Sequence, residues 1–317
     1  MAKVMCMAHA GEITCEGITK TYSDGKTALS SISFTIPAHG IFAVIGRNGA
    51  GKTTLARILS TLLEPSSGRA TIDGLDVMVD AKKLRERMAV VPQEGKTISW
   101  MTPVQTVSAY LLWRGLGYRE SLRRAEEAVA RVGLEEHSDR LNRTLSGGMK
   151  RKVLVAMVLA SDSEFIFLDE PSTGLDPISR QELWRLLIQL GKDRFVLLTT
   201  HYLEEAERVA DRIGILNDGR LMAMGGMEEL RGRLKHQYSL KVPAGVDLPV
   251  VAGETLALGN GQVQILTTRD EALGLSKSLI EAKAQFSVNP VTLDDIFTYM
   301  VGVMDADVRE EKEVDEE

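Results

Sequence analysis

The chain has 317 residues, 44% of them hydrophobic and 26% charged, the balance of an ordinary soluble globular protein with room for one large or two modest domains. A formal net charge of -6 argues against nucleic acid or anionic lipid as the main partner, and no run approaches the ~20 apolar residues needed to cross a bilayer. Cys6 and Cys15 fit no metal spacing, and Met1 to Ala10 is too short and interrupted for a secretory leader, so a reducing, cytoplasmic setting is expected.

Glu12 to Thr19 and Leu29 to Ile36 read as extended segments flanking a turn at Ser23-Asp24-Gly25-Lys26. The apolar run Ile41 to Ile45 reads as a buried strand, and Leu55 to Leu59 has helical spacing. Between them lies Gly46-Arg47-Asn48-Gly49-Ala50-Gly51-Lys52-Thr53-Thr54, which fits the phosphate-binding pattern Gly-x-x-x-x-Gly-Lys-Ser/Thr. Clustered phosphate charge must be held without bulky side chains in the way. Gly46, Gly49 and Gly51 let backbone N–H groups turn inward, and the helix start adds the positive end of its dipole. Asn48 and Thr54 belong to the same cradle. Lys52 is expected to reach the β- and γ-phosphates of a nucleotide, and the Thr53 hydroxyl to sit on Mg²⁺.

The loop Glu64 to Gly68 and short strands near Arg69 to Ile72 and Met88 to Val91 complete an opening section suited to an antiparallel sheet beside a nucleotide site. Strand signals then vanish. Val104 to Leu116 and Glu120 to Val132 have helical spacing, which predicts a helical subdomain inserted into the core over about 96–155. A helix from Met149 to Leu159 begins a return to alternation: strands Phe165 to Leu168, Phe195 to Thr199 and Ile213 to Leu216, with helices Arg180 to Leu190 and Glu204 to Ala210. That pattern predicts an α/β fold with a parallel sheet. Beyond a core of 11–233, Tyr238 to Val242 and Gln262 to Thr267 look like strands, and Glu271 to Gln285 and Leu293 to Met300 like helices. These predict a small α+β extension over 234–302, and the acidic stretch 303–317 is expected to be disordered.

Phe165-Ile166-Phe167-Leu168-Asp169-Glu170 is a buried strand ending in two acids. Asp169 is expected at the metal beside the phosphate loop. Glu170, one residue on, points elsewhere and can act as general base on the water in line with the γ-phosphate. In Leu145-Ser146-Gly147-Gly148 a capping serine precedes two glycines at a helix start, a second anion-binding arrangement.

This last stretch resembles the signature sequence of ATP-binding cassette ATPases, usually Leu-Ser-Gly-Gly-Gln, and the rest of that family's pattern stands in order around it. Tyr22 matches the aromatic residue that stacks on adenine. Gln93 matches the glutamine at the junction with the helical subdomain, a ligand of Mg²⁺ or of the attacking water. Ser172-Thr173-Gly174-Leu175-Asp176 matches the loop after the catalytic acid. His201 matches the switch histidine, which touches the γ-phosphate and positions the base. The resemblance covers about 11–230 and implies a P-loop NTPase core that hydrolyses ATP with Mg²⁺, with Glu170, His201, Lys52 and Gln93 as the catalytic set. Two departures stand out: Met149 replaces the signature glutamine, and Lys152 stands where arginine is frequent, keeping charge without the bidentate fork.

The resemblance also implies a head-to-tail dimer, of two copies or of this chain with a paralogue. Each ATP then lies between one phosphate loop and the partner's Ser146-Gly147-Gly148. A lone chain has two anion-binding helix starts separated by an insert, and two-fold pairing lets them meet. Membrane-spanning permease subunits on a separate polypeptide are the expected partners, with this chain peripheral on the inner face of the cell membrane. Apolar residues between Thr97 and Pro103, with Trp113, fit either core staples of the subdomain or a docking surface for such a partner. Val291 to Phe297 is similar to the end of cassette ATPases serving drug, lipid or polysaccharide exporters, which favours export. The alternative is a soluble cassette ATPase acting on ribosomes or DNA. Those carry long coiled-coil insertions or two cassettes in one chain, neither of which is visible, and the acidic charge disfavours nucleic acid. A sensor that binds ATP without turnover is disfavoured by Glu170.

Overall fold

The computed structural model describes residues 11–246, 254–258 and 261–301; Cys6 and the acidic stretch 303–317 lie outside them. The elements run β1 (Glu12–Thr21), β2 (Thr27–Pro37), β3 (Gly40–Ile45), α1 (Lys52–Leu59), β4 (Ser67–Ile72), β5 (Leu75–Asp76), α2 (Ala81–Arg87) and β6 (Met88–Val91). Then come α3 (Pro103–Trp113), α4 (Tyr118–Arg131), α5 (Gly147–Ala160), β7 (Phe165–Asp169), α6 (Pro177–Gly191), β8 (Phe195–Thr200), α7 (Leu203–Val209), β9 (Arg212–Asn217) and β10 (Arg220–Gly225). The last are α8 (Met227–Gly232), β11 (Tyr238–Pro243), β12 (Glu254–Leu258), β13 (Gln262–Thr267), α9 (Arg269–Glu281) and β14 (Ser287–Pro290), with helical residues 293–301 after them.

Two compact units divide between Met222 and Ala223, earlier than the change of character read near 233. Helix α8 therefore falls in the second unit, where Arg231 Nε donates to the Val291 carbonyl at 2.9 Å.

In the first unit, β2-β1-β4-β5 is an antiparallel sheet, and β9, β3, β8, β7 and β6 run parallel in a second sheet whose edge strand, β10, contains the division point. Every residue of β3, β7 and β8 is buried, which is why these strands read as continuous apolar runs rather than alternating ones. Their register sets up the site. Ile45 pairs with Thr200 and Asp169 with Thr199, so the loops that leave β3, β7 and β8 gather at one end of the sheet. Cys15 is buried in β1, and burial pushes its thiol up to about 12, which leaves it unreactive at neutral pH.

Helix ends differ from the sequence reading for local reasons. α6 starts at Pro177 rather than Arg180, because Asp176 accepts from the Ile178 and Ser179 amides, each at 3.0 Å, and proline suits the first turn. α9 stops at Glu281 rather than Gln285, with Lys283 in the left-handed region at φ 53°. α2, α8, β5, β10, β12 and β14 stand where the sequence pattern predicts no element.

In the second unit, β12-β13-β11-β14 form an antiparallel sheet, and α9 packs Leu275 and Leu279 on Leu240, Val242 and Ile265. Gln264 Nε2 donates to Ser239 at 2.8 Å and to Asp295 at 2.7 Å, while Thr292 N–H donates to Asp295 at 2.9 Å. The exporter-like stretch around Val291 thus acts in this unit as an anchor, with Val291, Leu293 and Ile296 all buried.

Candidate nucleotide site

The loop between β3 and α1 is as tight as its glycines suggest. A Cβ on Gly46 would stand 2.4 Å from the Leu216 carbonyl oxygen, and one on Gly51, at φ 102°, 2.4 Å from that of Ala28. Lys52 is buried and donates to the Gly46 and Arg47 carbonyls at 2.9 and 3.0 Å. Burial lowers its pKa, and the nearby Glu170 and Asp169 carboxylates pull in the opposite direction. The loop opens on a cavity of about 530 Å³. Tyr22, Asn48, Gly49, Gly51, Lys52, Thr53 and Thr54 line it, together with Gln93, Glu170, Thr173 and His201. Gly46 lies under the loop, outside that lining. The Tyr22 hydroxyl sits 3.1 Å from Thr54 Oγ1, which fixes the ring at the cavity edge.

At the end of β7, Asp169 Oδ1 accepts from Thr53 Oγ1 at 3.0 Å and also from Thr199 Oγ1. Glu170 has φ 47°, a left-handed conformation that glutamate adopts rarely, and its N–H reaches the Thr199 hydroxyl and carbonyl, each at 3.1 Å. Its carboxylate is the convergence point of the site. Gln93 Nε2 and Thr173 Oγ1 both donate to Oε2 at 3.1 Å, and His201 Nδ1 lies 3.2 Å from Oε1. Gln93 and His201, which sequence separates by more than a hundred positions, meet on one side chain.

Ser146 caps α5, its hydroxyl accepting from the Met149 amide at 3.2 Å. Ser146, Gly147 and Gly148 do not line the nucleotide cavity; Gly147 borders an adjoining hollow with Lys96 and Lys150, which shares Gln93, Glu170 and Thr173 with that cavity. Met149 enters this arrangement through its backbone amide.

Two residues missed by sequence reasoning, Thr199 and Arg151, support the acids directly, and a third, Glu205, holds the loop that follows them. Lys152, flagged from its position, turns outward to Glu182 at 2.5 Å, whereas its neighbour Arg151 turns inward. Only the ~100° rotation per helical residue separates these two adjacent cations.

Glu205 of α7 is fully buried, accepting from Ser172 Oγ at 2.9 Å and from Trp184 Nε1 at 3.1 Å. Burial raises its pKa above the ordinary 4.5, against hydrogen bonds from Thr200, Ser172 and Trp184 that lower it. A carboxyl that holds its proton more tightly when folded contributes stability that is fully present below about pH 4.5 and lost as pH rises through the folded value. Glu205→Ala orphans the Ser172, Trp184 and Thr200 donors at about 1–3 kcal/mol each, so the melting temperature should fall by roughly 5–15 °C. Glu205→Gln keeps an acceptor for Trp184 and a partner for Ser172. It should match the parental melting temperature at low pH, equal or exceed it at neutral pH, and so flatten the pH dependence, all readable by calorimetry.

A family model described as ABC transporter matches residues 29–173. The daunorubicin resistance ATP-binding protein DrrA3 of Streptomyces coeruleorubidus is 35% identical over 303 residues, covering 92% of this chain and 96% of that protein. The daunorubicin/doxorubicin resistance ATP-binding protein DrrA of Streptomyces peucetius is 33% identical over 96% of each. Similar solved structures include the dimeric post-hydrolysis state of the ATP-binding cassette MJ0796 bound to ADP and Pi. It is 25% identical with a TM-score of 0.63, over 68% of this chain and 98% of that one. CbiO1 from Clostridium perfringens, part of the ABC transporter complex cbiONQ, is 30% identical with a TM-score of 0.63, over 69% and 90%. With a phosphate loop, Gln93 and Glu170 around one cavity, Asp169 hydrogen-bonded to Thr53 beside it, and relatives matched over nearly their whole length, the chain belongs to the ABC transporter family as an ATP-binding ATPase subunit.

Proposed function

We propose that this chain powers export through a separate membrane-spanning permease, working as one of two cassettes that close head to tail on ATP and part after hydrolysis. The observation that carries the reading is that Ser146, Gly147 and Gly148 do not line the cavity formed by the phosphate loop, Gln93, Glu170 and His201; Gly147 borders only the hollow next to it. A second cassette supplies the missing wall, either another copy or a paralogue. The dimeric MJ0796 cassette with ADP and Pi supports this arrangement by analogy.

Tyr22 stacks on adenine, and Gly46, Asn48, Gly49, Gly51 and Thr54 frame the phosphates. Lys52 exchanges its loop carbonyls for the β- and γ-phosphates. Glu170 accepts the proton of the in-line water, held in place by Gln93 and His201. Thr53 and Asp169, 3.0 Å apart, with Gln93 nearby, form the oxygen set for Mg²⁺. Among the described residues no group of three or more His, Cys, Asp or Glu forms a metal cage, which suits a cation that takes one or two protein ligands plus substrate phosphates. Mg²⁺ there would supply positive charge beside the γ-phosphate.

No helix among the described residues is long and apolar enough to cross a membrane. The relatives named as ATP-binding proteins, matched over nearly their whole length, support a permease on another polypeptide with this chain peripheral at the inner membrane face. Trp100 and Trp113 are 73% and 84% exposed, so neither staples the subdomain core, and both suit a docking surface for that partner. Export, rather than import, is favoured by the resistance proteins that match nearly the full length. The functional division is a cassette of about 11–233 with an accessory region after it. Affinity isolation of the tagged chain from detergent-solubilised membranes tests the proposal. Recovery of a polytopic membrane polypeptide with ATP-dependent stoichiometry supports it, and recovery of ribosomes or DNA instead supports the soluble rival.

A further inference from the structure

Arg151 is the most completely committed cation at the site, and no carboxylate is its partner. Its Nε donates to the Pro171 carbonyl at 3.0 Å, Nη1 to those of Pro92 and Gln93 at 3.2 Å each, and Nη2 to those of Asp169 and Glu170 at 2.8 and 2.9 Å. A guanidinium has five N–H donors, and here five carbonyls take them. The residue is only 9% exposed, and burial lowers its pKa while the Asp169, Glu170 and Glu205 charges raise it. Those five carbonyls come from two segments. One leaves β6 and carries Gln93; the other ends β7 and carries Asp169 and Glu170.

We propose that Arg151 is the positioning residue that sets the general base. It holds by their backbones both partners of the 3.1 Å contact between Gln93 and Glu170. The Glu170 backbone needs such a clamp, because its φ of 47° is unfavourable for a side chain with a Cβ. Lysine cannot replace it: one ammonium with three donors on a flexible stem cannot serve five carbonyls in a plane. This inference rests on Glu170 being the base, and Arg151 acts through it without touching substrate.

The test compares Arg151→Met and Arg151→Lys with the parent full-length chain, alone and combined with Glu170→Gln. It uses steady-state ATP hydrolysis, titration of a fluorescent ATP analogue and thermal melting. In the parent background both single variants should lose about ten- to a hundredfold in kcat, as for a misplaced catalytic group, while analogue affinity stays within about twofold. In the Glu170→Gln background the same substitutions should change the residual rate by less than about twofold, because the group they position is already gone. Should the methionine variant fail to fold, the lysine variant, which keeps the buried charge, carries the test. Parental kcat for Arg151→Lys, or equal losses in both backgrounds, overturns the proposal. Parental turnover in Glu170→Gln alone would sink the base assignment and this proposal with it. An inactive Glu170→Gln beside fully active Arg151 variants sinks this proposal only.

Discussion

Replacing Glu170 with glutamine should lower steady-state ATP turnover by about 10²–10⁴-fold, the share that general-base catalysis supplies, and leave ATP binding close to parental. The substitution keeps the size of the side chain and an acceptor for the Gln93 and Thr173 donors, both at 3.1 Å, so the cavity keeps its shape. What is lost is the capacity to take a proton from water. With binding intact and hydrolysis blocked, a complex that ATP holds together should accumulate. Light scattering with ATP and Mg²⁺ should report a doubled mass that ADP does not produce. Turnover at the parental rate would remove Glu170 from the mechanism, and a persistent monomer, with the membrane partner present, would remove the closing pair.

Lys52→Ala should act on the other half of the cycle and abolish nucleotide binding rather than slow chemistry. In the structure the ammonium is spent on two loop carbonyls at 2.9 and 3.0 Å, contacts that a triphosphate replaces with charged oxygens. A hydrogen bond to a charged group contributes about 1.5–3 kcal/mol. Losing two, at about 1.4 kcal/mol per factor of ten, should weaken ATP by at least about a hundredfold. Folding should change little, since burial already works against the charge that is removed. Calorimetric titration with ATP measures the affinity, and a dissociation constant within about threefold of the parent would refute the assigned role.

The extent to which this could be read from sequence depended on whether a feature is written along the chain or across it. β6 and β13 coincide with their expected ranges, because each is a short run rich in β-branched and aliphatic residues that leaves a local mark. α2 left none: of Ala81 to Arg87 only Leu84 is buried, so there was no periodicity to detect. The phosphate loop and the two acids at the end of β7 are contiguous and were legible. Thr199, Arg151 and Glu205 were not, because each acts through strand register or helix rotation. Thr199 reaches Asp169 only because β7 and β8 pair those two residues. The position of Ser146 outside the cavity is likewise a fact of three dimensions, although two helix starts on either side of an inserted subdomain hinted at it.

The left-handed backbone at Glu170 has an evolutionary edge to it. Glycine or asparagine would sit in that conformation more comfortably, so a screen that rewards heat resistance alone has a reason to discard the glutamate. The fold tolerates this residue rather than preferring it, and drift at position 170 should proceed toward sturdier proteins that no longer turn over.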